Sequence, residues 1–378
     1  MLDLFSRLRR LAGRPFLTAK TVAVFFCVPF ICAQANGEIT YSGTVTPIPP
    51  AGSDTWSLSD RTTVLVGGSS RSALTISNAT VTAGYIIRVG QTDNETSTMS
   101  VTNGTLSVGF NFFVAEGASR TGVVEFNNST ITANSQIYLG YSRGSTASMY
   151  VTNSTLSVGS RVAMGNFGGT ALLELRGSTM SAASIDGGFD YGQTSVLRVV
   201  DSTLSTTGNV TSSGGALCVY LTSGTATIGG AVLIGTGSQQ SALVVSNKMS
   251  DVSIGQTLSI GANGKLQFDI DASLLATGDP IIDAGAFLFS ELGQYVVTLE
   301  NLDSVLSDTQ ILLLGSSQTV SQAVKDIAWQ IEGLPDGYDI TTEWIGDNLY
   351  LNIQIPEPAV ASAVLGMLSL VAVLRRRK

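Results

Sequence analysis

The sequence predicts an all-β protein whose body is a parallel β-solenoid, a three-sided β-helix with about 25 residues in each coil. Two observations lead to this prediction. A short pattern around one turn residue recurs through the middle of the chain, and apolar residues flank it in pairs separated by a single residue. Repeats of this length are typical of solenoids, and alternation with a period of two is typical of strands that bury one face.

The composition favours many short strands joined by tight turns. Of the 378 residues, 44% are hydrophobic, 13% are charged and 41 are glycines. The apolar fraction is large enough to form a core, and the charged fraction is lower than is typical of disordered chains.

Residues 1–35 have the three parts of a secretory signal peptide. Five basic residues precede an apolar run at 22–31, and Ala33 and Ala35 supply the small residues that signal peptidase accepts. We therefore expect signal peptidase to cut after Ala35. The alternative is an uncleaved N-terminal anchor, although the apolar run is short for a membrane span.

Residues 36–73 are expected to form an N-terminal cap and linker. Within them, Trp56 and Leu58, then Val64 and Val66, show the spacing of strands in a partial coil. Such a partial coil covers the first full repeat, because the ends of a repeat array need a cap.

Residues 74–264 carry the repeat. Its turn residue is asparagine in four successive units, always at the same interval: Asn78, Asn103, Asn128 and Asn153. Gly177 and Asp201 take the same place in the next two units. Asparagine tolerates left-handed backbone, and stacked amides can bond along a column, so we interpret the four as a structural ladder. They also match the Asn-x-Ser/Thr glycosylation motif, which we interpret as coincidence.

Each repeat also contains three apolar pairs, which predict three inward-facing strands per coil. In one unit these pairs are Met149 and Val151, Leu156 and Val158, and Val162 and Met164. The first pair of successive units begins at Leu74, Met99, Val124, Met149, Leu173, Leu197, Val219 and Leu243. These positions predict eight stacked coils.

The repeat register is lost near Lys265, so residues 265–353 are expected to form a β-rich acidic cap. Short apolar runs continue there, and residues 269–347 hold 14 acidic residues and a single lysine. A charged, solvated end of this kind stops end-to-end stacking of a repeat array.

Residues 354–378 end in three consecutive elements. They are the triplet Pro356, Glu357 and Pro358, an uncharged apolar stretch at 359–374, and the cations Arg375, Arg376, Arg377 and Lys378. The apolar stretch predicts a single C-terminal transmembrane helix about 24 Å long. The cations are expected to stay on the cytoplasmic side.

This end of the chain resembles the PEP-CTERM sorting signal of Gram-negative bacteria. The resemblance covers only residues 356–378. It implies recognition by exosortase, delivery to the cell envelope, outer surface or extracellular matrix, and an association with exopolysaccharide and biofilm. The alternative is a plain tail anchor. The coil repeats resemble autotransporter passenger domains, although an autotransporter ends in a barrel of many strands and this chain is expected to end in one helix.

Several chemistries are excluded by composition. The chain has no histidine, and Cys218 is the lone cysteine between residues 36 and 355. Serine–histidine catalysis and histidine-ligated metals are therefore impossible, and we interpret Cys218 as a small core residue. Residues 36–355 hold 11 basic and 26 acidic residues, a net charge of −15, which argues against nucleic-acid binding. We predict no catalytic, cofactor-binding or metal-ligating residues.

Two functions from different classes stay open. The leading one is a structural or adhesive protein that meets extracellular polysaccharide, because serine and threonine are spread evenly along every coil. The other is a carbohydrate-active enzyme, a polysaccharide lyase or hydrolase, with Asp186 and Asp190 as its candidate acid pair. Asp269 and Asp271 are either candidate calcium ligands or outward charges on a strand.

Overall fold

Strands hold about 61% of the residues that the computed structural model describes. These are residues 37–355 apart from 51, 69, 92–94, 189–192, 213, 275–277, 303–307 and 335–337. The predicted signal peptide with Ala33 and Ala35 lies outside them. So does the predicted sorting signal with Pro356, Glu357, Pro358, the apolar stretch and Arg375, Arg376 and Arg377.

The strands lie in the order that the apolar pairs predict. Before the regular coils come β1 Glu38–Ser42, β2 Val45–Thr46, β3 Thr55–Ser57 and β4 Thr63–Val66. The regular coils hold β5 Ala73–Ser77, β6 Thr80–Ala83, β7 Ile86–Val89, β8 Thr96–Thr102, β9 Thr105–Val108, β10 Phe112–Val114, β11 Thr121–Asn127, β12 Thr130–Ala133, β13 Ile137–Leu139, β14 Thr146–Thr152, β15 Thr155–Val158, β16 Arg161–Met164, β17 Thr170–Arg176, β18 Thr179–Ala182, β19 Ser184–Gly187, β20 Thr194–Val200, β21 Ser202–Thr206, β22 Val210–Ser212, β23 Ala216–Leu221, β24 Gly224–Ile228, β25 Val232–Ile234 and β26 Ser241–Ser246.

The C-terminal part continues with longer strands. They are β27 Met249–Ile260, β28 Gly264–Asp271, β29 Ile282–Phe289, β30 Gln294–Glu300, β31 Thr309–Ser316, β32 Gln330–Glu332, β33 Asp339–Ile345 and β34 Asn348–Gln354. Short helical segments lie at Asn166–Gly168, Ala272–Leu274 and α1, Gln322–Lys325.

The coils stack as a parallel β-solenoid of about nine turns, which confirms the predicted all-β solenoid. Three columns of parallel strands form its sides. The first column runs from β5 through β8 and β11 to β26, the second from β3 through β6 and β9 to β24, and the third from β4 through β7 and β10 to β25. In the first column Leu74 pairs with Met99 and Met99 with Val124, so neighbouring strands are offset by one sequence repeat, as predicted.

The predicted apolar pairs form the core between the three columns. Val151 of β14 is fully buried and lies in register between Phe126 and Leu175 of the neighbouring coils. Leu156 and Met164, from the second and third strands of the same coil, are also fully buried. The alternation of buried and exposed residues therefore gives each strand one core face and one outer face.

The second and third columns merge at β27. This single long strand pairs with β24 through Val252 and with β25 through Leu258. From this point each coil has two long strands instead of three short ones. The merger removes the turn between the second and third strands, whereas the turn between the first and second strands persists at Asn247 and Lys248, between β26 and β27.

Parallel stacking continues well beyond residue 264, where the sequence predicts the repeats to end. β28 pairs in parallel with β26, β30 with β28, and β32 with β30. Leu266 pairs with Leu243 on one side and with Tyr295 on the other, so the chain between paired residues lengthens from one coil to the next. The register disappears from the sequence because the connections change in length, while the strand pairing itself is preserved.

Antiparallel strands close both ends. At the N-terminal end, β1 pairs antiparallel with β5 and β2 with β4, while β3 and β4 form the predicted partial coil. At the C-terminal end, β34 pairs antiparallel with β31 and with β33. These strands interrupt the parallel stack, so they reduce its tendency to add further strands.

Within the described part of the chain, no helix has the length and apolar character needed to cross a membrane.

Candidate functional site

The four ladder asparagines occupy a left-handed turn between the first and second strands of their coils. Their φ angles lie between 48° and 51°, and Gly177 and Asp201 adopt φ values of 56° and 49° at the same place. Asparagine, aspartate and glycine are the residues that tolerate this conformation. The left-handed backbone at this position therefore restricts which residue types can occupy it.

From Asn128 onward the residue after the turn residue is a serine, and its side chain accepts a hydrogen bond from the backbone of the preceding coil. The N–H of Ser129 donates to Ser154 Oγ at 2.9 Å, and the N–H of Ser154 donates to Ser178 Oγ at 3.1 Å. Ser178 continues the series to Ser202 at 3.0 Å. All four serines are buried, so these bonds satisfy donors that water does not reach. We call this series the serine ladder.

The outer face of the second column is uncharged. Its exposed or half-exposed threonines are Thr80, Thr105, Thr130, Thr155, Thr179, Thr203 and Thr225. Threonine suits a strand whose outer face meets solvent. We call this surface the threonine face, and the strands from β6 to β24 that form it place no aromatic or charged side chain on it.

The outer face of the third column is different, because aromatic and charged side chains gather there. Arg88 of β7, Phe113 of β10 and Tyr138 of β13 lie in register on three successive coils. We define the aromatic–arginine patch as Arg88, Phe113, Glu116, Tyr138, Tyr141, Arg161, Phe167 and Asp186. Tyr141 and Phe167 come from the turns that follow β13 and β16.

The rings of the patch contact one another continuously. Phe113 and Tyr138 stack with centroids 4.6 Å apart and planes within 6°. Tyr141 meets both rings edge-on, at 5.8 and 5.1 Å, and contacts Phe167 at 5.2 Å. The register of parallel strands brings the two stacked rings together, since equivalent residues on adjacent strands lie about 4.8 Å apart. The result is an aromatic surface that spans three coils.

Phe167 is the most unusual member of the patch. It has a φ of 48°, although a bulky side chain in the left-handed region is unfavourable. Its side chain is nevertheless 51% exposed. The flanking Gly165 and Gly168 also have positive φ, which lets the short turn project the ring outward. Strained residues of this kind are concentrated at functional sites.

Two arginines lie over the stacked rings and are held by carboxylates. The Arg88 guanidinium is 5.5 Å from the Phe113 centroid, and its Nε is 2.6 Å from Glu116 Oε2. The Arg161 guanidinium is 5.9 Å from the Tyr138 centroid, and its Nη1 is 3.8 Å from Asp186 Oδ2. These contacts fix planar, charged groups beside the aromatic surface.

The candidate acid pair is not assembled in the described residues. Asp186 lies in the patch, where it accepts a hydrogen bond from Thr211 Oγ1 at 2.8 Å in addition to its contact with Arg161. Asp190 lies outside the described residues. Asp186 is thus engaged as a partner of Arg161.

The candidate calcium ligands are engaged by protein groups. Asp269 Oδ1 accepts a hydrogen bond from Gln267 Nε2 at 2.6 Å. Asp271 accepts bonds from Ser273 and Asn301 and lies 3.3 Å from Lys248 Nζ, and these donors hold the pKa of its carboxyl well below its ordinary value. No three acidic or cysteine side chains converge on a common point in the described ranges.

A cavity of about 420 Å³ lies near the C-terminal end and contains two carboxylates. Its lining includes Glu291, Asp326 and Tyr295. Asp326 accepts a hydrogen bond from Gln322 Nε2 at 2.7 Å. Tyr295 donates to the Ser290 carbonyl at 2.8 Å, and burial raises the pKa of its hydroxyl. A phenol held in its protonated form is not available as a general base.

The interpretation of Cys218 as a core residue is wrong. Leu217 and Val219 point into the core, so Cys218 between them lies on the outer face of β23, half-buried between Val196 and Ala242. Burial raises the pKa of its thiol, and the Ala242 backbone hydrogen bond opposes this effect.

Sequence reasoning missed the aromatic–arginine patch, although the repeat contained a signal for it. Arg88, Phe113 and Tyr138 recur at the same interval as the core pairs. They follow the apolar residues of the third strand by one position, so they belong to its outer face. The exposed ring of Phe167 had no such signal, because its exposure depends on the backbone of one turn.

Comparison of the chain with known protein families, curated proteins and solved structures found no match.

Proposed function

We propose that this protein is a secreted, exosortase-sorted bacterial surface or matrix protein whose solenoid adheres to extracellular polysaccharide through the aromatic–arginine patch. The observation that carries the proposal is the exposed ring of Phe167, held in a strained turn beside the Phe113–Tyr138 stack. Exposed aromatic residues flanked by fixed polar groups are typical of ligand-binding surfaces. Sugar rings have apolar C–H faces that pack against aromatic rings.

The solenoid supports this role by its rigidity. The stacked rings and the arginines of the patch are placed by strands whose backbone hydrogen bonds run in register from coil to coil, and Tyr141 and Phe167 are placed by the turns that follow two of these strands. Side chains on strands are positioned more tightly than side chains on loops. A preorganised surface loses little entropy when a chain molecule binds along it.

The principal test is the variant Phe167→Gly. Glycine relieves the left-handed strain, so the melting temperature is expected to stay the same or rise. Binding to a polysaccharide array is expected to weaken about fivefold or more, since an exposed aromatic anchor contributes more than about 1 kcal/mol. Tyr150→Ala, on the outer face of the first column, is the matched control. Unchanged array binding by Phe167→Gly at full stability would contradict the proposal.

The sorting step has its own test. Replacing Pro356, Glu357 and Pro358 by alanines is expected to prevent processing and leave the protein in the inner membrane. Fractionation of cells that express exosortase, followed by intact-mass measurement, distinguishes the two states. Normal surface delivery of the alanine variant would leave a plain tail anchor as the explanation of this end.

The alternative of a carbohydrate-active enzyme is testable with the same polysaccharides. A lyase or hydrolase releases unsaturated products or new reducing ends, whereas an adhesive protein leaves the polymer length unchanged. We propose the second outcome, because Asp186, the described member of the acid pair, is engaged by Arg161 and Thr211.

A further inference from the structure

We infer that the polysaccharide bound by the aromatic–arginine patch is acidic, carrying carboxylate or sulfate groups; this inference rests on the proposed function. Four of the 11 basic residues between 36 and 355 lie in or beside the patch. Arg88 and Arg161 belong to it, while Arg120 and Arg143 lie in the turns that border it. Glu116 and Asp186 balance Arg88 and Arg161, so the patch itself is neutral. When Arg120, Arg143 and Glu95 of the bordering turns are counted, the described residues of this region carry a net charge of +1 in a protein whose net charge is −8.

The geometry of the arginines suits anionic groups. The Arg88 and Arg161 side chains are 32% and 33% exposed, so their charges are reachable from solvent. Glu116 contacts Arg88 through Nε, on the inner side of the guanidinium fork. A planar guanidinium fixed beside a ring presents paired donors that match a carboxylate or sulfate.

The spacing of the arginines suits an extended polymer. Arg88 lies on β7 and Arg161 on β16, which are three strand spacings apart, or about 14 Å. Phe113 and Tyr138 occupy the two coils between them. Phe113 is 8% exposed and its ring is covered by Arg88 and Tyr138. The sugar rings of a chain lying along the solenoid axis therefore contact the exposed ring of Phe167 and the half-buried rings of Tyr138 and Tyr141. The acidic groups of that chain reach the arginines on either side.

Outside the patch, the exposed Arg176 and Arg198 of the first column both contact the carboxylate of Glu174. The threonine face is uncharged, and the C-terminal part from 269 to 347 carries 14 acidic residues and one lysine. The C-terminal part repels an acidic polymer, because its carboxylates and the polymer carry charges of the same sign. The charge pattern thus favours binding of an acidic ligand to the coils between β7 and β16.

The experiment compares binding to matched polymers that differ only in charge. The full-length protein is tested by biolayer interferometry against polygalacturonate and its methyl ester, and against dextran sulfate and dextran. The acidic member of a pair is expected to bind at least tenfold more tightly, and added salt is expected to weaken it. Arg88→Gln and Arg161→Gln are each expected to reduce this preference about tenfold. Arg71→Gln, at an exposed arginine outside the patch, is the matched control.

The possible outcomes separate the inference from the proposed function. Equal binding to both members of a pair, with Phe167→Gly still weakening both, overturns the acidic ligand and leaves the adhesive function in place. Absence of binding to these polymers and to the whole array overturns both. Melting temperatures of the two glutamine variants within a few degrees of the parent show that lost binding is not lost folding.

Discussion

At the scale of single residues, the turn between the first and second strands divides its tasks between two neighbours. Asn153 adopts the left-handed backbone conformation, and Ser154 makes hydrogen bonds to the coils on either side. The first task is visible in the sequence because few residue types tolerate positive φ. The second is not, because serine bonds in many ways and its partners are fixed by stacking.

The two neighbours are expected to respond differently to substitution. Ser154→Ala removes the acceptor of the buried Ser129 N–H, so we expect a loss of about 1–3 kcal/mol in the free energy of unfolding. Asn153→Asp keeps a residue that tolerates the turn, so its effect is expected to stay within about 0.5 kcal/mol. Urea titrations of both variants measure the difference. An equal or larger loss for Asn153→Asp would assign the bonding task to the amide.

At the scale of elements, the core faces of the strands were predictable and the connections between them were not. The pair Met149 and Val151 indicates a strand because period-two alternation has one structural explanation. The merger at β27 has no such signature, since a continuous strand and two short strands with a turn carry similar apolar residues. The aromatic–arginine patch depends on strands and on a connection. Its arginines and stacked rings follow strand periodicity, whereas the position of Phe167 is set by the connection after β16.

The end of β28, where Asp271 lies, makes stability depend on pH. Asp271 has a pKa below its ordinary value because Ser273, Asn301 and Lys248 favour the charged form. The unfolded chain therefore binds a proton at higher pH than the folded chain, and the stabilisation is present above about pH 4 and lost as pH falls further. Asp271→Asn is expected to lower the melting temperature at pH 7 and to matter less near pH 3. If the difference in melting temperature between Asp271→Asn and the parent grows as pH falls, the assigned direction of the pKa shift is wrong.

At the scale of the whole molecule, the repeat predicted the architecture but underestimated its extent. Eight coils were visible from Leu74 to Leu243, whereas parallel pairing continues to β32. Each coil contacts mainly its neighbours, so irregular coils can still stack once regular ones provide a template. Sequence periodicity therefore sets a lower limit on the length of a solenoid.

The whole fold predicts a simple spectroscopic result. Circular dichroism of residues 36–355 is expected to show a β-rich spectrum with almost no helical signal, because α1 is a single short turn in the described chain. Thermal unfolding should remove that spectrum in one or a few cooperative steps, as neighbouring coils stabilise one another. A helical signal of the size that ordinary mixed domains give would contradict the solenoid.

The serine ladder has a consequence for how such a chain changes over generations. Ser154 bonds to the coil before it as Ser178 bonds to its own predecessor, so the upper and lower edges of a coil are alike. Duplication of one whole repeat inserts a unit that both neighbours already fit, and it extends the molecule by about 4.8 Å. Duplication of a fragment breaks the register instead. Duplication or loss of whole repeats can therefore change the length of the solenoid in fixed increments while the surface residues of the other coils stay the same.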